Sequence, residues 1–358
     1  MTAAEVEVTG AVTERLFGAL LGAIELATVH LGVRLGLYDA LATPRTAAGL
    51  AQAAGIDERY AREWLEQQAI SGLVSVVEPG DGDSRVYGLD PEQAASFGDA
   101  DSPAYAGSMA LVMGGVGEVL PQLPEVYRTG SGVPFGGYGD DVRFGQALFN
   151  RGGFLGQLTQ EWVPALPGVA ALLSRPGARA LDLGCGVGWS SIALATAYPA
   201  LEVLGIDSDD ASVMDARANA EAHGVADRAR FEVADADTPL AEAAYDVAFY
   251  FEALHDMAHP VESLAAVRSA LRPGGVVVVV DEAAEEEFAP GGSEVERILA
   301  ASSVLHCLPV GRSQPDSEAT GALFRPATMR SYAARAGYSA VEVAPIEHDL
   351  FRFFVLTP

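Results

Sequence analysis

The sequence predicts an α/β protein: a helical amino-terminal block followed by a doubly wound, mostly parallel seven-stranded sheet. From Ala178 onward, short apolar runs alternate with helical segments, the pattern of a sheet covered by helices on both faces. Residues 12–75 instead repeat apolar side chains at helical spacing. At 358 residues, 49% of them hydrophobic, the chain exceeds one small core and suits two domains.

Taken in order, Met1 to Gly10 is acidic and lacks the basic start of a secretory signal. Leu16 to Ala42 is apolar but interrupted by Glu25, His30 and Arg34, which predicts buried helices, with Leu16, Leu20, Ile24 and Leu31 on one stripe, and no membrane span. Thr46–Gly55, a turn at Ile56-Asp57, and Glu58–Gly72 read as helix, turn and helix. Leu73–Gly88 reads as a hairpin around Pro79-Gly80-Asp81-Gly82-Asp83. Together these are winged-helix-like. The predicted division is a dimerisation domain over 1–100, a helical linker and substrate lid over 101–168, and a ligand-binding domain over 169–358. The middle segment mixes Gly130, Gly132, Gly136, Gly137 and Gly139 with Phe135, Tyr138 and Phe144.

The predicted strands run Ala178–Leu183, Glu202–Ile206, Arg230–Val233, Tyr245–Phe251 and Gly275–Val280. An antiparallel pair, Ala340–Val343 and Leu350–Leu356, follows at the edge.

The formal charge of -27 repels phosphate backbones and anionic lipid, so no nucleic-acid or membrane partner is expected. A DNA-binding regulator would need a basic second helix, yet this one carries Asp57, Glu58, Glu63 and Glu66 beside only Arg59 and Arg62. Exposed apolar helices call for a partner surface, which predicts a homodimer. No lysine is present, which excludes Schiff-base chemistry. Two cysteines, Cys185 and Cys307, are too few for a disulfide framework, and a reduced cytoplasmic setting is expected.

The first parallel strand ends in Asp182, followed by Gly184, Cys185, Gly186 and Gly188 and then an alanine-rich helix, so backbone N–H groups approach a ligand closely. The next strand ends in Asp207-Ser208, where an acid holds ribose hydroxyls. The third ends in Asp235-Ala236, within reach of an adenine. Gly-x-Gly-x-Gly departs from the dinucleotide spacing and suits a sulfonium ligand without pyrophosphate.

Leu181–Gly188, Gly205-Ile206-Asp207, Asp235-Ala236 and Leu271-Arg272-Pro273-Gly274-Gly275 resemble the ordered motifs of class I methyltransferases, across about half the chain. With the winged-helix-like start, the resemblance extends to small-molecule methyltransferases of bacterial secondary metabolism, commonly dimers. It implies S-adenosylmethionine (SAM) as cofactor, with Asp207 on ribose, Asp235 and Ala236 on adenine, and the glycine turn on the methionine part. Phe251 closes the fourth strand beside this site.

After that strand comes Glu252-Ala253-Leu254-His255-Asp256-Met257-Ala258-His259-Pro260. A later apolar run is broken by His306-Cys307. His255, Asp256 and His306 form the two-imidazole, one-carboxylate set that binds Fe or Zn with positions left open. Their spacing resembles metal-dependent α-keto acid C-methyltransferases of nonribosomal peptide biosynthesis. That resemblance implies an α-keto acid substrate and a divalent metal stabilising its enolate. The alternative is a metal-independent O- or N-methyltransferase with His255 as general base. His259 is a rival ligand or base, and Cys307 a weaker rival ligand. Phe249, Phe251, Trp189, Phe135, Tyr138, Phe324 and Phe351 are candidates for an apolar pocket, and Arg143 or Arg325 for a substrate carboxylate.

Overall fold

A computed structural model describes residues 3–102 and 104–358. Met1 and Thr2 of the acidic start, and Pro103 of the expected linker, lie outside them. The chain divides into two compact units instead of three segments: Met1–Gly115 with Phe144–Gly152, and Val116–Arg143 with Gly153–Pro358.

In the first unit, the Thr46 hydroxyl accepts the Gly49 N–H to start helix Ala47–Ala54, and the Asp57 carboxylate accepts the Arg59 N–H to start helix Glu58–Ile70. Strands β1 (Ser75–Glu78) and β2 (Val86–Gly88) pair antiparallel as the wing. Leu37, Leu41, Leu50 and Leu65 are buried around Tyr38, whose hydroxyl donates to Gln68 at 2.6 Å. Arg59 pairs with Glu63, Arg62 with Asp83 and Glu58, and Arg85 with Glu66, so acids neutralise the arginines of this face.

One expectation fails here. Leu16, Phe17, Leu20 and Ile24 are each more than half exposed, on a single helix Ala3–Arg34. At 1.5 Å per residue this helix is roughly 48 Å long, more than a small domain can cover. Only its last turns meet the core: a Cβ on Gly32 would sit 2.5 Å from the Tyr38 ring. By length and composition, Gly10–Arg34 is also apolar enough to cross a membrane, a property that helices of soluble proteins share.

In the second unit, strands β3 (Arg179–Leu183), β4 (Glu202–Asp207), β5 (Ala229–Val233), β6 (Tyr245–Phe251), β7 (Leu271–Glu282), β8 (Ala340–Val343) and β9 (Phe351–Thr357) form the expected seven-stranded sheet in the order β5-β4-β3-β6-β7-β9-β8. β3 to β7 are parallel neighbours, and β9 runs antiparallel to β7 and β8. The central strands are covered on both faces, so they read as unbroken apolar runs; Val277, Val278 and Val279 have no exposure. Strand order reverses between β3 and β6, which opens a crevice at the carboxyl ends of these strands, where sheets of this kind bind ligands.

Candidate active site

The turn after β3 needs glycine for two separate reasons. Gly184, with φ of 72°, could take no side chain, since a Cβ would lie 2.4 Å from that of Ala253. Gly186 faces open space, with nothing within 4 Å of its would-be Cβ. Its N–H donates to Asp207 Oδ2 at 2.8 Å, and Asp209 N–H donates to Oδ1 at 2.9 Å. Each Asp207 oxygen keeps a lone pair for a ribose hydroxyl. Burial, only partly offset by these N–H donors, raises the Asp207 carboxyl above its usual range. Ser208 and Asp235 are exposed and Ala236 half-buried, with Gln314 reaching Asp235 at 3.4 Å. The open backbone at Gly186 and the spare acceptors of Asp207 fit an adenosyl ligand.

Several of the expected cofactor residues also hold the fold together. Asp182 has no exposure, and its Oδ2 accepts the Ser190 and Ser191 hydroxyls, each at 2.6 Å. It fastens the following helix to the strand, and burial pushes it up to about 6. Cys185 is buried with its thiol well above the ordinary value through desolvation, and Phe251 stacks on Phe249 at 5.2 Å. Asp207→Ala, by contrast, removes two charged acceptors, and SAM affinity measured by calorimetry is expected to fall about 10²- to 10³-fold.

Ala253, which abuts Gly184, leads into a short 3-10 turn, Leu254–Asp256. This turn places His255 against the end of β7. The imidazole is 2% exposed; its Nδ1–H donates to Asp281 Oδ1 at 2.6 Å, and Nε2 lies 3.2 Å from Asp256 Oδ1. Burial alone would lower the His255 pKa, but the charges of Asp281 and Asp256 outweigh it and hold it well above the ordinary value. Asp256 is lowered: burial opposes its charge, yet His255 and His306 prevail. Glu252 and Glu282 add two more carboxyls, both raised first by burial, Glu282 to about 7. Glu252 holds a positive φ of 49°, a conformation that side-chain-bearing residues keep only where the surroundings enforce it.

Behind Asp256 the chain makes a π-helical turn, Ser303–Cys307. His306 Nε2 lies 3.9 Å from Asp256 Oδ2, and its ring meets Tyr138 edge-on at 4.4 Å and Phe135 at 5.9 Å. Neither ring nitrogen has a hydrogen-bond partner among the described residues; nor do Asp256 Oδ1 and Asp281 Oδ2. Leaving a buried polar atom unpaired costs roughly 1–3 kcal/mol, so a ligand or an ordered water would satisfy these atoms.

The structure rearranges the expected metal set. The compact donor group is His255, Asp256 and Cys307, with atoms within 4.8 Å of one another, while His306 reaches only Asp256. Cys307, the weaker rival in sequence, is the residue of the π-turn that joins this group. Burial pushes the Cys307 thiol up to about 12. The donor types suit Zn or Fe. His259 is not in this group: its Nε2–H donates to the Pro315 carbonyl and its Nδ1 lies 3.0 Å from Asp237. Arg325 is tied to Glu296, and Arg143 to Asp140 and Asp215. Of the aromatic candidates, Phe249 and Phe324 are core, Trp189 meets His223, and Phe351 stacks on His348; only Phe135 and Tyr138 reach the site. Asp281 was missed by sequence reasoning. The signal was there, since an acid ends the Val276–Val280 run much as Asp182 and Asp207 end theirs.

Comparison with known proteins bears on this geometry. A methyltransferase domain model matches residues 174–319, and an Rv2258c-like winged HTH domain model matches residues 22–98. Acetylserotonin O-methyltransferase of Mus musculus molossinus is 30% identical over 92% of this chain and 86% of its own length. The chain belongs to the class I SAM-dependent O-methyltransferase family. This methyltransferase also shares 38% identity over 30% of its length, and 39% of the relative's, with 27-O-demethylrifamycin SV methyltransferase of Amycolatopsis mediterranei. In fold it matches mitomycin 7-O-methyltransferase (TM-score 0.69, 22% identity, 99% and 100% of the two chains). It also matches human N-acetylserotonin methyltransferase solved with SAM (TM-score 0.69, 18% identity, 96% and 97%).

Proposed function

We propose that this methyltransferase methylates a hydroxyl oxygen of a small molecule, with His255 as general base. The observation that carries the reading is the His255–Asp281 pair. Asp281 holds the Nδ1 proton, which fixes the tautomer whose Nε2 can accept a proton. SAM, when bound, supplies a methyl group on a sulfonium. His255 Nε2 would take the proton of the substrate O–H, leaving that oxygen free to accept the methyl group, with the S–C bonding pair returning to sulfur as a neutral thioether. Positioning supplies much of the rate. The O-methyltransferase names of the relatives support oxygen over the carbon of an α-keto acid.

A second reading keeps carbon methylation through a divalent metal, on the strength of the His255, Asp256 and Cys307 donors. When bound, an ion would stabilise an enolate. The two readings part on one experiment: purified protein is treated with chelator, incubated with SAM and a panel of phenols and α-keto acids, and the products are assigned by NMR. Unchanged O-methylation after chelation is expected. Metal-dependent C-methyl products would replace the oxygen reading.

The apolar face of Ala3–Arg34 supports a homodimer, and two unpaired thiols support a reducing, cytoplasmic setting. Light scattering is expected to give twice the chain mass for the native protein. Leu20→Glu with Ile24→Glu is expected to give the monomer, and a monomeric native protein would overturn the assignment.

A further inference from the structure

We infer that His306 is a substrate-binding residue, and that it selects rings carrying a second oxygen next to the one that is methylated. This rests on the oxygen-methylation reading and adds the substrate class. Three observations carry it.

The first is the orphaned polarity of the ring. The His306 side chain is 12% exposed, and neither nitrogen has a partner among the described residues. A neutral imidazole offers one donor and one acceptor. A hydroxyl or carbonyl oxygen matches that pair.

The second is placement. His255 Nε2 and His306 Nε2 address the two oxygens of one carboxylate, Asp256, at 3.2 and 3.9 Å. Both imidazoles therefore border one carboxylate, so a substrate whose reacting oxygen lies at His255 would bring an adjacent oxygen to the His306 side. While His255 takes the proton from the reacting hydroxyl, His306 holds its neighbour and fixes which oxygen faces the methyl group.

The third is rigidity. Tyr138 and Phe135 hold the His306 ring edge-on, Tyr138 is itself pinned by its hydroxyl donating to the Leu305 carbonyl at 2.9 Å, and the π-turn departs from regular helix where His306 enters the site. Irregular turns of this type recur at functional positions. Phe135, half-buried, leaves ring surface that a flat ligand can pack against.

The test uses the full-length protein, chelator-treated and saturated with S-adenosylhomocysteine, titrated by calorimetry with 2,3-dihydroxynaphthalene and with 2-naphthol. The diol is expected to bind about 10- to 100-fold more tightly. His306→Phe, which keeps the aromatic packing, should bring the pair within about twofold by weakening the diol alone, and His306→Gln should restore part of the preference. S-adenosylhomocysteine affinity reports folding in both variants. A preference that survives His306→Phe, equal losses for both ligands, or no preference in the native protein overturns the inference. A preference seen only before chelation assigns the two oxygens to an ion and overturns it too. Turnover with SAM separates the two levels: O-methylation of both naphthols without discrimination sinks the inference alone, whereas failure to methylate either oxygen sinks the oxygen reading with it.

Discussion

His255→Ala is expected to lower kcat about 10²- to 10⁴-fold while SAM affinity stays within about twofold. The imidazole ring is oriented through Nδ1 by the buried Asp281, and its Nε2 lies 3.2 Å from Asp256 Oδ1. Removing it leaves the glycine turn, Asp207 and Asp235 intact, because none of them touches it. Single-turnover assays with saturating SAM, beside calorimetry for the cofactor, separate these effects. Loss of SAM binding in parallel with turnover would make His255 a structural residue.

Asp281→Asn is expected to cost a comparable factor, about 10²- to 10⁴-fold in kcat, and also to move the pH profile. Only neutral His255 can accept a proton, so kcat/KM should rise with pH until the raised pKa is passed, giving an acid limb above the ordinary histidine range. Asp281 is one of the two carboxylates that raise this pKa against burial. Replacing it with a neutral amide lowers the pKa, so the limb must shift to lower pH. The plateau falls at the same time, because asparagine no longer enforces the Nδ1–H tautomer. A pH-rate profile of the variant with the native limb position would exclude His255 as the titrating base.

Much of the sheet was legible because fully covered parallel strands leave unbroken apolar runs, and each predicted strand from Ala178 onward lies within a few residues of the observed one. The acids at the strand ends were legible for a related reason: the carboxyl end of a strand is a fixed place in this topology, so Asp207 and Asp235 could be placed there without a structure. Asp182 shows the limit. Its position at a strand end was right, but whether a carboxylate points to ligand or to neighbouring serines depends on side-chain packing.

Sequence by itself determined the doubly wound sheet, the glycine turn and the acids at the ends of β4 and β5. Periodicity and chain reversal are local properties, and neighbouring residues fix them. Tertiary structure alone decided that Asp281 orients His255, that Cys307 joins Asp256 while His259 turns away to Asp237, and that the apolar face of Ala3–Arg34 remains uncovered. Those outcomes depend on distances between residues far apart in the chain, set by strand register, by a single π-turn and by the length of one helix, none of which residue spacing encodes.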